Sequence, residues 1–220
     1  MTGHFVQVFL RDDIADPAGQ AARADALRFL GIDTGEVRTA RQFTITSPIS
    51  PEDLALLAHE GLSDPVLHEV FVDHSSVPPG FAACLRVSRR PGVTDDEGVS
   101  AQRTLADLTG REAETGTQRI FTSDLYFLAR PLPDADLARL GEELLGNPLV
   151  NRFDFGLDLD PLGAAPALDF GADSTVETVD VFLPDEELDR LSKEMVLSLS
   201  RDEWHALQSH YRDPAVLATR

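Results

Sequence analysis

Twice along the chain the hydrophobic pattern runs through the same cycle. HFVQVFL (4–10) and AACLRVS (82–88) are apolar or alternating runs rich in β-branched and aromatic residues, which predicts strands. Each gives way to a polar turn, RDDIADPAG or RRPGVTDDEG, and then to a predicted helix over 17–30 or 96–109. Those helices carry Ala21, Leu27 and Leu30, or Val99, Leu105 and Leu108, at helical spacing. Pro17 suits the first helical position behind Asp16 as N-cap, while Gly31 and Gly110 suit left-handed exits. EVRTARQFTIT (36–46) and QRIFTSDLYFLA (118–129) follow, each long enough for one bent strand or two strands joined at a tight corner. Pro-led helices come next, over 50–62 and 133–145, the first opening with Ser50 and Asp53 in near-capping-box spacing. Both cycles close on a similar corner and strand, LSDPVLHEVFVD (62–73) and LGNPLVNRFDFG (145–156).

This is an internal repeat. Pro65 and Pro148 lie 83 residues apart, and at that offset Leu54, Leu57 and Leu62 meet Leu137, Leu140 and Leu145. Phe43 likewise meets Tyr126, and Pro48 meets Pro131. Nearer the start the offset is 79, which aligns Asp16, Gly19 and Gly31 with Asp95, Gly98 and Gly110. The four extra residues fall near 111–117, where a longer loop costs little. The order β-α-β(β)-α-β predicts an α+β fold with an antiparallel sheet and helices on one face. The expected divisions are a first module over 1–75, a second over 81–158, a flexible linker over 159–174 and a mostly helical segment over 175–220. Within that last segment VETVDVFL (176–183) could add a strand and PDEELDRLSKEMV (184–196) reads as a helix. Ser200 and Glu203 form a capping box that opens a further helix bearing Trp204, Leu207 and Tyr211 on one stripe.

Charge narrows the possible partners. A formal net charge of −19 repels phosphate backbones and anionic lipid, so neither nucleic acid nor a membrane is an expected partner. No apolar run approaches the length of a membrane span, and the N-terminus lacks the basic, then apolar, pattern of a signal peptide. The single cysteine, Cys84, excludes an internal disulfide framework and fits a reducing compartment, so the expected location is cytoplasmic.

Candidate chemistry is sparse. Neither GxxxxGK[ST] nor GxGxxG occurs, and the only lysine, Lys193, has no glycine beside it. His205 and His210 are five apart, off a common helix face, and Asp154, Asp158 and Asp160 lack the glycine and closing glutamate of a calcium loop. Asp12-Asp13 and Asp95-Asp96-Glu97 stand at helix starts, where carboxylates complement exposed N–H groups. Cys84 occupies a strand position suited to a small buried hydrophobe. No catalytic, metal or cofactor residue is therefore expected; the stripe of Trp204, Leu207 and Tyr211 is the candidate partner-docking feature.

Together, ADPAGQAARADALRFLGID, GEVRTARQFTI and LSDPVLHEVFVD resemble the PurS-type small subunit of phosphoribosylformylglycinamidine synthase. PGVTDDEGVSAQRTLADL, IFTSDLYFLA and LGNPLVNRF look like the same module again, as at the start of the long-chain synthases. LPDEELDRLSKEMVLSLSRDEWHALQSHYRDP is similar to the linker that leads into the synthetase domain of those enzymes. The resemblance implies a non-catalytic assembly region, a fragment or split subunit that is inactive alone and bridges the synthetase and glutaminase parts. The family's ATP and magnesium would belong to the catalytic domain rather than to this chain. The family reaction is the ATP- and glutamine-dependent amidation of formylglycinamide ribonucleotide in purine synthesis. The alternative expectation is a tandem α+β regulatory protein that binds small molecules.

Overall fold

A computed structural model describes residues 3–111, 119–165, 180–195, 197 and 199–212. The chain forms two compact units, Met1–Leu168 and Asp169–Arg220. The first runs β1 (His4–Leu10), α1 (Pro17–Asp25), β2 (Val37–Ile45), α2 (Pro51–Leu56) and β3 (His68–Val72). It then repeats as β4 (Ala83–Arg89), α3 (Asp96–Thr109), β5 (Ile120–Leu128), α4 (Asp134–Arg139) and β6 (Asn151–Phe155). Wider π turns extend α1, α2 and α4 through Ala26–Leu30, Leu57–Gly61 and Leu140–Leu145. The long runs left open between one strand and two are single strands, β2 and β5.

The fold is α+β. Its six strands form one antiparallel sheet in the order β3-β1-β2-β5-β4-β6. Both halves share the order outer strand, first strand, second strand, and they join back to back through β2 and β5. The modules of 1–75 and 81–158 are thus repeats within one unit rather than separately folded bodies.

Strand alternation sorts the side chains onto two faces. Val6, Val8, Phe43 and Ile45 of the first copy meet Leu54 and Leu57 near α2, together with Ala101 and Leu105 of α3. Leu85, Val87 and Leu128 of the second copy meet Leu137 and Leu140 near α4, together with Ala22 and Ala26 from α1 and its π turn. The first helix of each copy therefore completes the hydrophobic core of the other, which interlocks the halves. Every helix of this unit lies on that face. The opposite face carries Phe9, Ala40, Cys84, Leu125 and Phe127, with Phe81 and Leu159 packed against them.

Asp16 caps α1 by accepting from Gly19 N at 2.8 Å, and the same carboxylate accepts from Thr39 N of β2 at 2.6 Å. Asp95 repeats this at α3, accepting from Gly98 N at 2.9 Å and from Thr122 N of β5 at 2.5 Å. Each helix start is thereby tied to the neighbouring strand. Left-handed glycines end these two helices at Gly31 and Gly110, with φ of 70° and 65°. The four-residue insertion lies between Gly110 and β5; residues 112–118 are outside the described residues.

The segment expected to be a flexible linker over 159–174 differs in its described part. Pro161–Ala164 forms a short 3₁₀ turn strapped across the sheet face opposite the helices. Gln42 Nε2 and Thr44 Oγ1 donate to Pro161 O at 2.9 and 3.1 Å, Arg86 donates to Asp160 O at 2.6 Å, and Arg152 donates to Gly163 O. Polar side chains from three strands, those of β2 and β4 buried, thus satisfy the carbonyls of the strap, which a composition rich in Pro and Gly did not announce. Residues 166–174 lie outside the described residues.

In the second unit α5 (Asp185–Glu194) and α6 (Arg201–Arg212) pack together. Ser200 and Glu203 form the expected capping box, with Glu203 N to Ser200 Oγ at 3.4 Å and Ser200 N to a Glu203 carboxylate oxygen at 2.8 Å. The strand expected over 176–183 is not there in its described part, because residues 181–183 turn into α5. Asp180 accepts from Phe182 N at 2.8 Å, so the aspartate folds the backbone back on itself.

Candidate functional site

The feature that joins the two copies is the β2–β5 pair. Its register sets Val37 opposite Leu128, Arg41 opposite Asp124 and Ile45 opposite Ile120. Arg41 and Asp124 are themselves 83 residues apart, equivalent positions of the repeat. They therefore lie on the pseudo-two-fold axis, where a true homodimer would set a residue against its own copy. Here an arginine faces an aspartate at 2.6 Å, and the same arginine reaches Glu97 of α3 at 2.9 Å. A symmetric pair would oppose like charges, which destabilises a cross-strand position. Fusion of the copies permits the two sides to differ.

Burial pushes the carboxyl groups of Glu97 and Asp124 above their usual range, although Arg41 and Arg89 act in the other direction. Burial, with Asp124 adding to it, raises the Tyr126 phenol to about 12. Reversing one charge should register here. Arg41→Asp puts three carboxylates together and is expected to lower stability by about 2 kcal/mol in urea unfolding, and Arg41→Asp with Asp124→Arg to recover at least half of that. Equal losses in the single and double variants would show that the pair contributes nothing.

Two clefts flank the axis on the helix face. One holds about 240 Å³ and is lined by Val8, Leu10, Arg41, Phe43, Leu62 and Glu97, among others. Its counterpart holds about 100 Å³ and is lined by Val87, Arg89, Asp124, Leu145 and Asn151, among others. The corners that close each copy are also equivalent. Asp64 N donates to His68 Nδ1 at 2.9 Å, and Asn147 N donates to the Asn151 side-chain oxygen at 2.9 Å. Each corner leaves an aliphatic side chain outside, Val66 at 74% exposure and Leu149 at 83%. They flank the starts of β3 and β6, the two outer strands of the sheet.

The expected docking stripe lies on α6 as a helix, but its members are not alike. Trp204 is 2% exposed and is thus already covered, while Leu207 and Tyr211 are half-buried. The Trp204 indole N–H has no hydrogen-bond partner among the described residues. Cys84 is buried, and that burial pushes its thiol to about 12, so no thiolate forms near neutrality. Among the described residues there is no group of three or more His, Cys, Asp or Glu side chains able to hold a metal. Nor is any helix among them long and apolar enough to cross a membrane.

Sequence reasoning missed the Arg41–Glu97–Asp124 group. The available signal was opposite charge at equivalent positions of the repeat, within strands otherwise dominated by apolar and hydroxyl side chains.

Trp204 is the only tryptophan, so its fluorescence reports the second unit alone. Hydrogen bonds from Arg201 to Asp189, and from Ser200 to Glu203, hold those carboxyls below their usual range. Their stabilisation is present above the unfolded values and is lost as pH falls through the lowered folded ones. Glu97 and Asp124 have the opposite sign: their raised folded values make protonation relieve a cost. Acid titration is therefore expected to red-shift Trp204 emission at a higher pH than it erodes the circular-dichroism signal of the sheet. Coincident transitions would remove this distinction.

A scan against protein-family models finds none that matches the chain, and a search of curated proteins returns no significant match.

Proposed function

We propose that this chain is the non-catalytic assembly region of a phosphoribosylformylglycinamidine synthase, bridging its synthetase and glutaminase parts. The observation that carries the reading is the fused pseudo-dimer: two copies share one sheet about the Arg41–Asp124 pair and exchange their first helices. That is how a module resembling a dimeric small subunit would look after duplication within one chain. The two-helix unit that follows agrees with the resemblance of residues 183–214 to the linker of the long-chain enzymes.

The geometry also suits a scaffold. Strands β3 and β6 are outer strands, each preceded by a corner with an exposed aliphatic tip, Val66 or Leu149. Outer strands offer unpaired backbone groups, and the aliphatic tips add contact area for a protein partner. In this reading ATP, magnesium and glutamine are handled by the partners, and the assembly is cytoplasmic.

Co-expression with the synthetase and glutaminase parts of the same organism's enzyme tests the reading. The three should elute as one species in size-exclusion chromatography when ADP and glutamine are supplied. Separate elution both with and without those ligands would overturn it.

A further inference from the structure

The two clefts beside the pseudo-two-fold axis began as equivalent sites and have diverged. The larger has Leu10 and His68 where the smaller has Arg89 and Asn151 at the equivalent repeat positions. Glu97 on the wall of the larger cleft corresponds to Ala18 in the repeat. Divergence has thus given the larger cleft an apolar floor and Glu97 beside Arg41, while its twin is smaller and holds Arg89 and Asp124.

The chemistry of the larger cleft is specific about charge. Val8 and Phe43 are 7% and 5% exposed and form the floor, with Leu10 and Leu62 half-buried beside them. On the wall Arg41 and Glu97 stand in contact at 2.9 Å, and Asp124 holds Arg41 from β5 while Arg89 acts on both carboxylates from β4. Asp95, the α3 cap, is the further carboxylate acting on the group. A lone cation or anion entering here would leave one member of the Arg41–Glu97 pair facing a like charge. A ligand with adjacent positive and negative groups replaces that single contact by two charge-assisted ones and leaves the net charge unchanged. His68 adds a donor to the lining: its Nδ1 accepts from Asp64 N, so its Nε2 carries the proton. A volume of about 240 Å³ corresponds to roughly eight waters, the scale of a small metabolite rather than a nucleotide.

We propose that this cleft binds a small aliphatic α-amino acid, with its ammonium on Glu97, its carboxylate on Arg41 and its side chain over Val8 and Phe43. The inference stands apart from the assembly reading, because binding can occur whether or not the chain joins other subunits.

Amide chemical shifts of the ¹⁵N-labelled full chain, titrated with L-leucine, test it. Saturable shifts are expected at Val8, Arg41 and Leu62, with isoamylamine, 4-methylpentanoate and glycine each binding at least about tenfold more weakly. Glu97→Gln should weaken leucine binding by about tenfold. Leu10→Arg, which introduces the residue of the twin cleft, should abolish binding. The proposal is overturned by the absence of saturable shifts, by shifts centred elsewhere, by equal binding of either singly charged analogue, or by undiminished binding to Glu97→Gln.

Discussion

Replacing Asp154 by alanine is expected to destabilise the sheet unit by about 4 kcal/mol. Arg86 is 4% exposed and lies on the strapped face, where Asp154 accepts from its Nε and Nη2 at 3.0 and 2.8 Å. Removing the carboxylate leaves a buried guanidinium whose remaining hydrogen-bond partner among the described residues is the carbonyl of Asp160, at 2.6 Å. That cation cannot escape by losing its proton, because arginine stays charged at any working pH. The full desolvation penalty therefore falls on the folded state.

Truncating the other partner should cost less. After Arg86→Ala, Asp154 remains 26% exposed and keeps Arg152 at 3.3 Å, so water and a second cation still compensate it. A loss of about 3 kcal/mol is expected, much of it from the lost packing and the released strap. The double variant should fall well short of the sum, since neither charge is then left alone. Chemical denaturation of the four proteins measures all three quantities. Additive losses would mean that the ion pair is incidental.

This cluster also marks where reading from sequence stopped. Element order, helix limits and the repeat follow from periodicity, caps and glycines, because these are local signals and the copies corroborate each other. Residues 158–165 carry no period, so their place against the sheet depends on partners far along the chain: Gln42, Thr44 and Arg86. Arg86 is a charge inside an apolar run, but nothing local says whether such a side chain leaves the sheet or is buried with a partner. Trp204 shows the same limit. Helical spacing placed Trp204, Leu207 and Tyr211 on one helix, yet spacing alone does not distinguish a covered aromatic from one offered to a partner. The Arg41–Asp124 pair was legible in principle, since aligning the copies at an offset of 83 sets the two charges at one position. Recognising it as the axis additionally required the β2–β5 register.

Gly19→Ala is expected to cost about 3 kcal/mol and to lower the melting temperature by about 10 °C, although it adds one methyl group near the start of a helix. A Cβ at Gly19 would lie 2.2 Å from the carbonyl oxygen of Val37 and 2.9 Å from the Asp16 carboxylate. Neither neighbour can yield cheaply. Val37 O is backbone in a central strand, and Asp16 is held by Gly19 N and by Thr39. The helix must therefore lift from the sheet, which breaks the cap and withdraws Ala22 and Ala26 from the core of the second copy. Gly31→Ala provides the control. It adds a methyl group at φ of 70° with nothing within 4 Å, so only the backbone conformation opposes it, at about 1 kcal/mol. Similar losses at the two positions would show that close approach of α1 to β2 is not what the glycine serves. A large loss at Gly19 alone would give the Asp-Pro-x-Gly helix start a mechanical meaning: the aspartate ties helix to strand, and the glycine lets them come close enough to be tied.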